Sequence, residues 1–530
     1  VTAASVTLSA GGLTDTNDAG ITVTSASTIA ITNASGSYDY SGVISGPIAL
    51  TKSGAGTQTL SAANSYTGLT TISAGTLRLG VAGDSTNTPL GTTAAGTSIT
   101  AGATLDLNGY TLGTAEALTI NGYGVGSNGA LINSSASTPA TYSGAITVGS
   151  TSYIGGAGGM TLSGAVGSAS YGVGFIGAGS YTLSNSGNTL STIATSGIGS
   201  LTLKNNAALT IGTVNAYSGM TFSENASLDV TGNITMAGLI IQKNGSSDST
   251  LSLKSSARVN LWHGSNQIKT DTASGTGKLN MIFWSESDGE NTHGTSLAGT
   301  FTTNGGHIWA GGGSGSTTWN GLTVGNGAAG GGGAGANWDA IDTQGTWTTS
   351  GGSIWLAGNG GTGADYDILL GNGAVQAFDV GTGSVTLVGD YQASSYVTTI
   401  TSTGKLTIAP FGNAFTDSAG TARTFTWSGS GTSDFAGTGS INAMTIKSIA
   451  NLGGLTIGNS ASTLNSAVTI SNAIGIAGPI NIYGAAVTLT AGLSTSNTTT
   501  GNIGITTIGL TGAGAISLAT GRGLTVTQSS

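Results

Sequence analysis

Short segments of alternating apolar and polar residues recur along the whole of this 530-residue sequence. "SVTLSA", "GITVTS", "GTLRLG", "ATLDLNG", "LTLKNN", "SLDVTG", "GLTIGN" and "GLTVTQ" place Val, Ile or Leu at every second position. A two-residue period marks a strand with one buried face. Gly, Asn or Ser bounds each run and supplies the left-handed corner that a sharp turn requires. No long segment combines a 3.6-residue period with capping residues, so very little helix is expected.

Strands this short and closely spaced suit a sandwich, a propeller or a solenoid. Length selects among them. A sandwich rarely exceeds ~250 residues as one domain, and no Pro-rich or charged hinge divides the chain. A right-handed parallel β-helix grows by adding coils, so the expectation is an all-β chain forming one continuous β-helix over residues 1–530. At ~20 residues per coil this gives roughly 25 coils rising ~4.8 Å each, a rod on the order of 120 Å long. In "GAGTQTLSAANSYTGLTTISAGTLRLG" (residues 54–80), Leu60, Ile72, Leu77 and Leu79 are expected to face the apolar column, with Asn64 and Gly75 at corners.

Composition then narrows the function. Only 6% of residues are charged and 94 are glycine, so Ser, Thr, Asn and backbone must make the surface soluble. Twelve Lys and Arg with a net charge of −9 give no basic stripe for nucleic acid. No apolar run approaches the roughly 18 residues that span a bilayer, so no membrane insertion is expected. The absence of cysteine suits an exported protein that relies on no disulfide. Val1 with no basic or apolar leader reads as a processed form or an excised segment.

The middle section, residues 262–427, is chemically distinct: it holds all eight Trp, and all three His lie between His263 and His307. Within it "GTFTTNGGHIWAGGGSG" from Gly299 is echoed by "GTWTTSGGSIWLAGNGG" from Gly345, an offset of 46 residues that "GNGA" at Gly325 and Gly371 continues. The repeat covers residues 299–328 and 345–374. Two coils of ~23 residues produce that offset, as does one long coil with an excursion. Either places Phe301 near Trp347 and Trp309 near Trp355. The glycine-rich "GNGAAGGGGAGAN" (325–337) is expected to project as a loop.

Two acidic stretches invite a site. "WSESDGENTHG" (284–294) gathers Glu286, Asp288, Glu290 and His293; alternate carboxylates suit Ca²⁺, or an acid/base pair of the glycosidase kind. The simpler reading is a solvated loop. "GGTGADYDI" (360–368) approaches a calcium-repeat pattern through Asp365, but Asp367 stands where a large apolar residue belongs, and a Gly-rich corner explains it as well. Ca²⁺ is the only cofactor these residues suggest. Trp309, Trp319, Trp338 and Trp355 either cap the core or form an interaction surface for sugar rings or another subunit. No Cys is present and no motif pairs a Ser with a His, so no enzyme is expected.

Residues 54–80 resemble the autotransporter-associated β-strand repeat at Gly54, Gly56, Leu60, Asn64, Tyr66, Thr67, Gly68, Ile72, Gly75, Leu77 and Leu79, departing from it at Gln58, Ala62 and Leu69. Residues 89–109 and 128–149 look like the following coils. The repeat beginning at Gly299 is similar to haemagglutinin-type passengers. The resemblance implies a secreted β-helix of Gram-negative type, an adhesin or surface fibre. Neither the translocator barrel nor the secretion-domain motif that accompanies such passengers is recognisable. The expected function is an extracellular structural or adhesive β-solenoid of the bacterial surface. Its expected partners are further copies, stacked end to end by strand pairing, and surface glycans. The alternative is a carbohydrate-binding or carbohydrate-active β-helix using the tryptophans with Glu286, Asp288, Asp339, Asp342 or Asp365.

Overall fold

A computed structural model describes residues 6–9, 12–14, 20–271, 277–289, 293–331, 339–360, 366–390, 392–394, 398–416, 422, 424–427, 432–435, 444–447, 451–460 and 466–528. The chain divides into two compact units, Val1–Thr231 and Gly232–Ser530. Each is built from short strands that pair in parallel with strands of the coil before and the coil after. That is the ladder of a β-helix. Helix is confined to 3₁₀ turns such as Val125–Ser127 among the described residues.

In the first unit the alternating pattern translates directly into inside and outside. Ile48–Lys52 pairs in parallel with Ser27–Thr32 on one side and Thr70–Ile72 on the other. Gly75–Leu79 does the same between Thr57–Leu60 and Ala103–Asp106. Leu60, Ile72, Leu77 and Leu79 are fully buried. Tyr40, Leu60 and Leu79 lie in register on successive rungs, one column of the core. Stacking like on like removes apolar area from water at every rung, at roughly 25 cal/mol per Å².

Inward polar residues are stapled to backbone. Gln58 occupies a position where the repeat has Leu; its Oε1 accepts the Leu13 N–H at 2.8 Å and its Nε2 donates to the Leu13 carbonyl at 3.0 Å. Lys52 is fully buried, yet its Nζ donates to the carbonyls of Ser53, Gly54 and Ala74 at 2.9–3.1 Å. Burial lowers its pKa to about 8. Asn64 forms the anticipated corner, accepting the Ile44 N–H and donating to the Pro89 carbonyl, both at 2.8 Å. Gly75 turns at φ +65, where an added Cβ would meet the carbonyls of Gly54 and Gly56.

Asn188 is a staple with three such bonds. Its Oδ1 accepts the Val166 N–H at 2.8 Å, and its Nδ2 donates to the carbonyls of Leu183 and Lys204. Asn188→Ala orphans buried backbone groups on adjacent coils, at about 1–3 kcal/mol each. A drop of roughly 3 kcal/mol in unfolding free energy is the expected result in urea titrations.

In the second unit the 46-residue repeat is one coil. Thr295–Thr302 pairs residue for residue with Ile341–Thr348, setting Gly299 beside Gly345 and Phe301 beside Trp347. Thr303 Oγ1 donates to the Thr349 carbonyl, 46 residues further on, at 3.2 Å. The length is taken up by an antiparallel hairpin, Ile308–Trp319 against Leu322–Gly327. The two "GNGA" sequences are therefore not equivalent: Gly325 lies in the hairpin, whereas Gly371 follows the coil strand Ile368–Leu370. Inside this unit Phe283, Phe301, Trp347 and Phe378 form an aromatic column with successive centroids 5.8, 4.8 and 5.3 Å apart.

Candidate functional site

The hairpin creates the most distinctive surface of the second unit. Along the coil strands, Ile308 and Ile354 point inward and are fully buried, so Trp309 and Trp355 point outward. The two tryptophans are register partners on adjacent rungs. They do not cap the core column, because in "HIW" and "SIW" the isoleucine takes the inward position. Instead the hairpin folds back over them. Trp309 is buried with Ile282, Trp284 and Val324, while Trp319, Leu322 and Trp355 pack on this cluster half-exposed. Trp284 donates its indole N–H to the Gly313 carbonyl at 2.8 Å, tying the hairpin's base. Trp309 is thus buried in this cluster rather than standing free as an interaction residue; Trp338 lies outside the described residues.

Between hairpin and coil runs a cleft of about 270 Å³. Trp309 and Trp355 line it from the coil strands, Trp319 with Thr317 and Thr318 from the hairpin, and Phe411 also borders it. Trp319 meets Trp355 nearly edge-on, centroids 6.1 Å apart at 66°. His307 also packs edge-on against Trp319, 5.4 Å away at 69°. The Ser353 N–H donates to His307 Nδ1 at 2.9 Å, which leaves the ring proton on Nε2 when the imidazole is neutral. Burial, and secondarily Lys278, lower the His307 pKa, so the neutral ring is the working form. Among the described residues no Asp, Glu, Lys, Arg or His lines the cleft.

The hairpin tip is a two-residue Asn320-Gly321 turn with φ +47 and +79, the signature of a type I′ hairpin. "TTWNGLTV" carries that Asn-Gly signal in the sequence, a mark of the hairpin that strand alternation alone does not show.

The acidic residues lie apart from the cleft. Glu286 is fully buried rather than solvated, with His293 Nδ1 3.2 Å from its Oε1, while Asp288 is exposed. Asp367 is buried and accepts the Gly360 and Asp390 N–H groups, a corner staple. Glu290 and Asp365 lie outside the described residues. Asp339 and Asp342 come together beside Arg258, whose Nη2 is 3.7 Å from Asp342 Oδ2. Asn372 donates to Asp342 Oδ1 at 3.1 Å, and Ser296 to Oδ2 at 3.3 Å. Burial pushes the Asp342 carboxyl up. This is an inter-coil network in which both Asp342 oxygens are engaged by their own neighbours. Among the described residues no group of three or more His, Cys, Asp or Glu is placed to hold a metal ion.

A smaller hairpin, Thr213–Val214 against Tyr217–Ser218, lies on the outer face of the first unit. It covers Tyr153, whose hydroxyl accepts from Asn215 Nδ2 and the Ala216 N–H.

Parallel coils, stapled corners and outer faces nearly free of charge define a β-helix built from short repeated coils. The comparisons agree. Residues 50–79 match the passenger-associated-transport-repeat, which here runs through the strands Ile48–Lys52 to Gly75–Leu79. Over 105 residues, 20% of this chain, the sequence is 41% identical to the adhesin BmaC autotransporter of Brucella suis biovar 1 (strain 1330). That stretch is 3% of the Brucella protein, so the chain spans only a small part of its relative's length. No solved structure is significantly similar. The chain is a β-helix that carries this repeat at residues 50–79 and is similar over a fifth of its length to an autotransporter adhesin, which indicates an extracellular or cell-surface location.

Proposed function

We propose that the chain is an adhesive β-solenoid of the bacterial surface, acting by binding rather than by catalysis. The observation that carries this reading is the passenger repeat built into the coil ladder at residues 50–79, together with an adhesin as relative. The outer faces serve as the display surface, and the aromatic cleft is the feature most suited to contact.

Self-association belongs to the same proposal. The coils hold together by parallel strand pairing, as between Leu524–Gln528 and Ile503–Thr507, and the same pairing can join one copy to a second copy stacked upon it. Purified chain is expected to form filaments in negative stain and to sediment heterogeneously. A monodisperse parent chain refutes end-to-end pairing.

A further inference from the structure

We propose that the cleft between the hairpin and the coil wall in the second unit binds a neutral pyranose, with Trp319 and Trp355 as the contact surfaces. The assignment deepens the adhesive reading by naming a ligand class, and rests on that reading only for its location at the cell surface.

Three observations select a sugar. First, both indoles are half-exposed although tryptophan gains much from full burial; the fold holds apolar faces open at a concave site. Second, their planes cross at 66° with centroids 6.1 Å apart, so one ring can lie under a ligand while the other closes its flank. A pyranose has a C–H face that packs on an indole and hydroxyls around its edge. Third, hydrogen-bonding groups sit around the aromatic surface: Thr317, Thr318 and Asn326, all exposed. The Asn326 carbonyl oxygen already accepts the Gly315 N–H at 3.0 Å, which orients the amide.

Charge excludes the competing occupants. An anionic glycan or phosphorylated ligand needs Arg or Lys, and none of the described residues lining the cleft is either. A quaternary ammonium would exploit the indole faces, but no carboxylate among the lining residues adds to that attraction. A neutral ring with hydroxyl edges fits a neutral aromatic cleft with hydroxyl and amide edges.

The wall is also braced. Trp319 packs edge-on against both Trp355 and His307, and His307 is fixed by the Ser353 N–H at 2.9 Å. A preorganised wall loses little side-chain freedom on binding. His307 is therefore a positioning residue for Trp319.

The test uses the full chain and calorimetry with neutral hexose oligosaccharides of glucose, galactose and mannose, alongside heparin and tetramethylammonium. At least one neutral oligosaccharide is expected to bind and to shift the tryptophan fluorescence. Trp319→Ala and Trp355→Ala should each weaken it about tenfold or more, the loss typical of a buried aromatic anchor. Trp319→Phe should recover part of that loss, which separates a lost surface from a misfolded hairpin. Trp262→Ala, exposed and outside the cleft, should bind like the parent. The proposal is overturned if no neutral oligosaccharide binds at millimolar concentration, if only heparin or tetramethylammonium binds, or if the cleft variants bind like the parent. Filament formation and cell adhesion are measured separately on the parent chain, so their failure counts against the adhesin reading alone.

Discussion

Trp347→Ala is expected to cost about 3–5 kcal/mol of unfolding free energy, whereas Trp347→Phe should change it by less than about 1.5 kcal/mol. The contrast follows from where the indole sits. Trp347 is fully buried, stacked on Phe301 at 4.8 Å and 21° and tilted against Phe378 at 5.3 Å. Truncation opens a cavity in the middle of a column whose neighbours are fixed by ladder register and cannot collapse into it. The indole N–H, by contrast, finds no acceptor among the described residues. Phenylalanine keeps a ring between the two neighbours and removes a buried donor whose desolvation is uncompensated. In a coil ladder each rung is coupled mainly to the next, so the damage should be greatest nearby. Hydrogen exchange should accelerate first in Thr295–Thr302 and Gln376–Gly381, the strands flanking Trp347. Equal destabilisation by Phe and Ala would mean that the indole nitrogen, not the ring's bulk, is what the site uses.

Why that column was legible in the sequence, and the cleft only partly so, has a physical basis. A coil needs only alternation and a corner, and both are local. Leu60, Ile72, Leu77 and Leu79 could therefore be assigned to the inside from spacing alone, and the repeat offset placed Phe301 beside Trp347. What alternation cannot reveal is an excursion that folds back on the outside of the coil. Gly311, Gly312 and Gly313 interrupt the pattern without saying where the chain goes next, so Trp309 was read as a core cap or a free ladder. The isoleucine before each tryptophan marks Trp309 and Trp355 as outward. The Asn320-Gly321 turn marks the hairpin that covers them. Buried ionisable groups were the least legible. Glu286 reads as solvated because charge normally is, and its burial depends on a turn at φ +54 with a neighbouring histidine, neither written in the local pattern.

Glu116 is the buried acid with the largest predicted consequence, and its effect should appear as a pH dependence. It is fully buried in the first unit. Thr97 Oγ1 donates to its Oε1 at 2.6 Å, while Oε2 finds no partner among the described residues. Desolvation raises its pKa from 4.5 to about 8, the Thr97 bond offsetting part of the rise. Tyr66 and Tyr142 are the nearby ionisable groups, and both are themselves pushed up, mainly by burial. They stay neutral over the range that matters. Because the folded pKa lies above the unfolded one, the protonated acid's contribution is complete below pH 4.5. It is lost progressively as pH rises and is gone above about pH 8. The span is worth on the order of 4–5 kcal/mol. Glu116→Gln keeps the shape and the acceptor for Thr97 but cannot ionise. The variant should match the parent near pH 4.5 and exceed its stability by several kcal/mol at pH 8.5, measured as paired urea titrations at each pH. Taking the difference between the two proteins cancels the other carboxylates, which titrate alike in both. Parallel curves across the range would show that Glu116 ionises at its ordinary pKa in the folded chain, and hence that water reaches a carboxylate the packing encloses.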